Sequence, residues 1–189
     1  MQYEPLIADS YYHIFNRGNN KQPIFFEEKN YYYFLNLIKK YLVPVCDIYA
    51  YCLLSNHFHL LIKTKGEIAD KAIPQAFSNC FNSYTKAINK SYNRSGSLFQ
   101  DRFKRKVVQD ENYLRKLIIY IHLNPELHQL IGDFTKYDFS SYKGFLSAKP
   151  SLLKRQEVLG LFNSLENFKF LHAERNFQIE QNKEELFLE

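Results

Sequence analysis

His57 and His59 stand two residues apart in the run Asn56-His57-Phe58-His59-Leu60-Leu61-Ile62. Successive side chains of a strand point to opposite faces, so these two imidazoles project together while Phe58, Leu60 and Ile62 project the other way. Two imidazoles on one face are the beginning of a divalent-metal site, although a lone His-x-His is a weak signal. A second pair, Tyr120 and Asn124, is separated by four residues and so falls on one face of a helix. That face is not the one carrying Leu114, Ile118 and Ile121. A tyrosine placed there can aim its hydroxyl at a metal-bound phosphate, and Asn124 can supply an oxygen to the metal or orient the phosphate. His122, between them, lies roughly 200° around the helix from Tyr120 and reads as a structural histidine.

The elements that must position these residues follow from periodicity. Residues 11–16 alternate as a strand and close in the turn Arg17-Gly18-Asn19-Asn20. Residues 27–42 carry Tyr31, Phe34, Leu35, Ile38 and Leu42 at helical spacing, with acids first and lysines last, as the helix dipole favours. Pro44 ends that helix. Residues 45–54 and 57–63 are then expected as antiparallel strands joined at Ser55-Asn56. A helix from near Pro74 to Ile88 is followed by the loop at residues 93–97 and a basic fourth strand over residues 98–108. Asp110 caps a helix that is expected to end before Pro125, because proline disfavours helical geometry in the residue ahead of it.

The resulting order β-α-β-β-α-β-α predicts an α+β, ferredoxin-like split β-α-β fold. It has a four-stranded antiparallel sheet with two helices on one face and the histidines on the open face, plus a catalytic helix and a C-terminal helical extension. Residues 1–130 are read as the catalytic domain. Residues 131–189 are read as a loop and helical extension packed on the same domain, with a helix over 152–165 and a charged helix or tail after Phe170.

Composition narrows the partner. The 189 residues carry a formal charge of +5, but nine of the Lys and Arg fall between Tyr84 and Lys116 against Asp101, Asp110 and Glu111. A concentrated basic segment favours a polyanion. Arg94, Arg102, Lys104, Arg105 and Lys106, with Arg17 at the end of the first strand, are the candidate phosphate contacts, and Tyr92, Phe99 and Phe103 are available to stack on bases. Cys46, Cys52 and Cys80 show no C-x-x-C spacing, which argues against a disulfide framework or a thiolate zinc site. With no basic-then-apolar leader and no long apolar run, a cytoplasmic protein with no membrane partner is expected.

Four segments taken together, Tyr12-His13-Ile14-Phe15-Asn16-Arg17-Gly18-Asn19, His57-Phe58-His59, Gly96-Ser97-Leu98-Phe99-Gln100-Asp101-Arg102-Phe103 and Tyr120 to Asn124, resemble the single-tyrosine HUH transposases, IS200-like enzymes. Within these the sequence looks closest to the REP-associated tyrosine transposases. The resemblance spans residues 8–130. It implies that His57 and His59 bind Mg²⁺ or Mn²⁺, that Tyr120 attacks a phosphate of single-stranded or hairpin DNA, and that a 5′-phosphotyrosine link stores the bond energy without a nucleotide cofactor. Related enzymes complete the metal site with a glutamine one turn after the tyrosine. Here Asn124, one methylene shorter, occupies that position, and His122 is the other donor nearby. Two rivals remain open at this level, a non-catalytic binder of structured single-stranded DNA and a metal-dependent nuclease using water. Monomer and homodimer are equally compatible with the sequence.

Overall fold

Strand β1 (Tyr11–Arg17) is the centre of the fold because it can pair on both edges. The computed structural model describes residues 4–69 and 71–179, with side chains to residue 174. β1 pairs antiparallel with β3 (His57–Thr64) on one side and with β4 (Lys104–Val108) on the other, and β2 (Cys46–Leu54) pairs with β3. The spatial order is β2-β3-β1-β4, the arrangement of the split β-α-β plan.

Helices α1 (Glu28–Leu37) and α2 (Ala72–Ser91) cover one face of this sheet. Phe34 of α1 and Phe81 of α2 meet Phe58 of β3 at ring-centroid distances of 5.2 and 5.4 Å. Tyr12, Ile14, Leu60 and Ile62 fill the same layer. Full burial of each such side chain contributes roughly 1.5–3 kcal/mol, which fixes the face to which β3 turns its apolar stripe. The opposite stripe of β3 therefore carries His57 and His59, as expected.

That second face is covered rather than open. Helix α3 (Glu111–Leu127) lies across it, with Leu117, Ile118, Ile121 and Leu123 buried against Ala50, Cys52, Leu54 and Leu61. The physical reason is that α3 is predominantly apolar from Leu117 onward, and every residue from Leu117 to Pro125 is buried, while its first turns keep Glu111, Asn112 and Lys116 in solvent. α3 also runs two residues past Pro125. The proline removes one interior hydrogen bond, but His128 N–H donates to Asn124 O at 2.9 Å and Leu130 N–H to Pro125 O at 2.9 Å, closing the last turn. Asp110 caps its start by accepting from Tyr113 N–H at 2.8 Å, as predicted.

Two further departures shape the site. Residues 98–103 were expected within the fourth strand, but Arg102 adopts φ 54°, and the ladder begins only at Lys104. The segment ahead of it is tied to the end of β1 by Gln100 N–H donating to Arg17 O at 2.9 Å and by a bridge between Gly18 and Phe99. In the C-terminal part, the helix expected over residues 152–165 is shorter, α5 (Arg155–Leu161), and ends before Asn163, which takes φ 65°; α6 (Leu165–Ile179) follows. Short α4 (Tyr142–Leu146), α5 and α6 pack behind α3 through Phe145, Val158, Phe162 and Phe168. The rest of the charged tail lies outside the described residues. No described helix is long and apolar enough to cross a membrane.

Candidate active site

β3 delivers His57 and His59 side by side, their ring centroids 5.3 Å apart and nearly perpendicular. α3 brings Tyr120 onto them: its ring meets that of His59 edge-on at 5.8 Å. Asn124, one turn further, donates its Nδ2–H to Tyr120 O at 2.8 Å. A carbonyl oxygen only accepts, so this bond fixes the orientation of the amide and turns Oδ1 away from the helix. That Oδ1 and His59 Nε2 are both buried and find no hydrogen-bond partner among the described residues. Buried polar atoms without partners cost about 1–3 kcal/mol each, so both atoms are suited to a ligand that would satisfy them. Tyr120 itself is 2% exposed, almost wholly covered by its neighbours.

The electrostatics favour neutral imidazoles. Burial, followed by the influence of His13, His57 and His128, holds His59 well below the usual histidine range. His13, fully buried, is pulled down to about 3 by burial and then by the Lys106 ammonium. Neutral imidazoles keep a lone pair for a metal ion. Beside the pair, a recess of about 20 Å³ is lined by Phe15, Arg17, His57, His59, Gln100 and Lys104. Space of that size holds about one water molecule or one ion.

The expected phosphate contacts divide between two places. Cross-strand register puts Phe15 opposite both His59 and Lys104, Arg17 opposite His57, and His13 opposite Lys106, so Arg17, Lys104 and Lys106 share the histidine face. Arg17 Nε has no hydrogen-bond partner among the described residues. Arg102 and Arg105 instead line a cleft of about 590 Å³ against α2, with Asn16, Phe81, Asn82 and Phe103. Arg94 stands apart at the end of α2, donating to Gln22 and lying over the Phe26 ring. His122 faces away from the site, hydrogen-bonded to His172 at 2.8 Å and Ser141 at 2.7 Å, which agrees with its structural reading.

Three neighbours of the site carry no role that the sequence alone suggests. Asn56 Oδ1 lies 2.6 Å from His57 Nδ1, His13 Nε2 lies 3.0 Å from His59 Nδ1, and the His128 ring lies 4.6 Å from that of His57. His128 continues the four-residue spacing of Tyr120 and Asn124, a signal hidden by the expectation that the helix stops before Pro125. For His13 only the β1–β3 register reveals the contact.

Comparison with known proteins agrees with this architecture. A family model described as "Transposase IS200 like" matches residues 7–124, from before β1 to Asn124. A solved REP-associated tyrosine transposase, bound in its structure to a REP hairpin, superposes with a TM-score of 0.66 at 17% identity, covering 79% of this chain and 88% of its own. The tRNA(His) guanylyltransferase of Saccharomyces cerevisiae aligns at a TM-score of 0.44 and 13% identity over 91% of this chain and 79% of its own, too distant to inform function. No curated protein matches. With both histidines, Tyr120 and the intervening sheet all inside the matched span, the chain belongs to the family of IS200-like transposases.

Proposed function

We propose that this transposase cleaves and rejoins single-stranded, hairpin-bearing DNA with Tyr120 as nucleophile. The observation that carries the reading is the meeting of Tyr120 on α3, with Asn124 one turn beyond it, and His59 on β3, beside His57, although Tyr120 and His59 are about sixty residues apart in the chain. In the cleavage step the Tyr120 oxygen bonds to phosphorus, the bond from phosphorus to the 3′ oxygen breaks, and the departing oxygen takes a proton to become a 3′-hydroxyl. The 5′-phosphotyrosine link is then reversed by a 3′-hydroxyl, so cutting and joining use one site.

The donor set fits a hard divalent cation such as Mg²⁺ or Mn²⁺, held by His57, His59 and the Asn124 amide oxygen. Support comes from the His59 imidazole kept neutral by burial and from the unsatisfied His59 Nε2 and Asn124 Oδ1. Among the described residues no cluster of three His, Cys, Asp or Glu is disposed to hold an ion, and the Asn124 amide is proposed as the third protein donor. A bound cation would polarise the scissile phosphate and offset charge in the transition state.

Arg17, Lys104 and Lys106 hold the strand over the site, and Arg102 and Arg105 hold it along the cleft beside α2. Residues 1–130 act as the catalytic domain, and the extension from residue 131 braces α3 from behind. The near-complete cover over Tyr120 favours one rival, a hairpin-binding module without turnover. Incubating the protein with labelled hairpin-bearing single strands and Mg²⁺, then resolving the products on a denaturing gel, separates the two. A covalent protein–DNA adduct is expected, and its absence from the parent protein under all metal conditions supports the binder.

A further inference from the structure

We propose that Asn56 and His13 are positioning residues that set the tautomers of His57 and His59, so that both rings present the Nε2 lone pair to the site. The inference rests on the metal reading above and deepens it.

For His57 the hydrogen-bond network determines the tautomer. Asn56 Nδ2 donates to Lys21 O at 3.3 Å, and since that carbonyl only accepts, the amide cannot be flipped. Oδ1 must then be the Asn56 atom 2.6 Å from His57 Nδ1. An amide oxygen carries no proton. Nδ1 is therefore the protonated nitrogen of His57, and the lone pair sits on Nε2.

The acceptor Lys21 O is itself held in place. Lys21 and Asn20 adopt φ 60° and 53°, and the loop that bears them is stitched to the β2–β3 turn by Gly18 N–H donating to Asn56 O at 2.7 Å and by Ile24 and Phe25 N–H donating to Ser55 O. Gly18 permits the loop itself to fold this tightly: a Cβ there would lie 1.9 Å from Gln22 O. The Arg17-Gly18-Asn19-Asn20 turn, otherwise remote from chemistry, thus reaches His57 through one side chain.

His13 plays the corresponding part for His59. The two rings are stacked at 5.2 Å, and a single proton can sit between His13 Nε2 and His59 Nδ1 at 3.0 Å. Loading an ion on His59 Nε2 requires that proton on His59 Nδ1, with His13 Nε2 as acceptor. His13 is fully buried and its Nδ1 has no hydrogen-bond partner among the described residues, a cost that folding alone does not explain. Partners of this kind fix the orientation and basicity of metal-binding histidines generally.

The test uses Asn56→Leu, Asn56→Asp and His13→Phe in the full chain. Mn²⁺ affinity is read by calorimetry, and histidine tautomers in the ion-free protein are read by ¹⁵N-resolved NMR at neutral pH. Asn56→Leu and His13→Phe are each expected to weaken Mn²⁺ binding about 10–100-fold. Asn56→Asp, which retains an oxygen acceptor, restores it. In the ion-free spectra His57 is expected as the Nδ1–H form in the parent and in Asn56→Asp, and as a mixture in Asn56→Leu. Because Asn56 lies in a turn, its replacement leaves the core intact should His13→Phe fail to fold. Unchanged affinity together with an unchanged His57 tautomer in Asn56→Leu would overturn the proposal. A parent protein that takes up no Mn²⁺ overturns the metal reading itself, while the ion-free spectra still uphold or overturn the hold of Asn56 on His57.

Discussion

Lowering the pH should loosen the brace behind α3. His172 Nδ1 donates to Phe168 O at 2.7 Å, so its Nε2 must accept from His122 Nδ1–H at 2.8 Å, and His122 Nε2 in turn accepts from the Ser141 hydroxyl at 2.7 Å. Tyr51 N–H completes the chain by donating to Ser141 Oγ at 2.9 Å. Every link requires both histidines neutral. Burial pulls His172 from 6.5 down to about 4, the Phe168 carbonyl only partly opposing it, and the titratable groups packed against it among the described residues are His122 and Tyr142, beside the Phe134, Phe162 and Phe168 rings. A histidine depressed in the folded state contributes its full stability above its unfolded pKa and loses it as pH falls from 6.5 towards 4. The lost contribution is about 2 kcal/mol near pH 5 and about 3 kcal/mol near pH 4, or roughly 4–8 °C in melting temperature at the first of these. His172→Phe keeps the volume and removes the titration, but strands the His122 N–H at a cost of about 1–3 kcal/mol at neutral pH. Thermal and urea unfolding of parent and variant should therefore show a gap at neutral pH that narrows by about 2 kcal/mol near pH 5. A gap that stays constant across that range would refute the neutral, directional chain.

Three other outcomes test the site. Tyr120→Phe should abolish the covalent adduct on denaturing gels while leaving the affinity for hairpin DNA within a few tenths of a kcal/mol, about the level of an unperturbed site; normal adduct yield would move the nucleophile elsewhere. His57→Ala and His59→Ala should each eliminate the calorimetric signal of Mn²⁺ binding, since two remaining donors are too few to hold a hard cation in fixed geometry, and parent-like uptake in both would make the pair structural. Replacing Arg17, Lys104 and Lys106 together by alanine should flatten the plot of log K against log salt for single strands by about 0.7 for every phosphate no longer neutralised. The same flattening from Arg102→Ala with Arg105→Ala would show that the cleft beside α2 also carries the strand, and no change in either set would place the DNA path elsewhere.

Much of the site was legible because its signals are local. The two-residue repeat of a strand puts His57 and His59 on one face whatever surrounds them, and the four-residue repeat of a helix does the same for Tyr120 and Asn124. Turn residues and helix-breaking positions then set the order of elements, from which the sheet order follows through the split β-α-β plan. What the sequence misplaced was decided by packing. Pro125 was expected to stop α3, but a helix buried from Leu117 onward gains more from its neighbours than one missing hydrogen bond costs. Tyr49 and Ala50 turn to the same layer because β2 bulges between Ile48 and Ala50, which the alternation of residue types did not signal.

The sequence by itself therefore determined which residues could act together in pairs, since the dihedral repeat of a single element is enough to align them. Only the tertiary structure decided that Tyr120 meets His59, that Asn56 and His13 stand behind the histidines, and that Arg102 and Arg105 belong to a different surface from Arg17, Lys104 and Lys106. Those relations depend on strand register and on which face each helix covers. Both are set by contacts between residues far apart in the chain, where a shift of one position turns every side chain to the other side of the sheet.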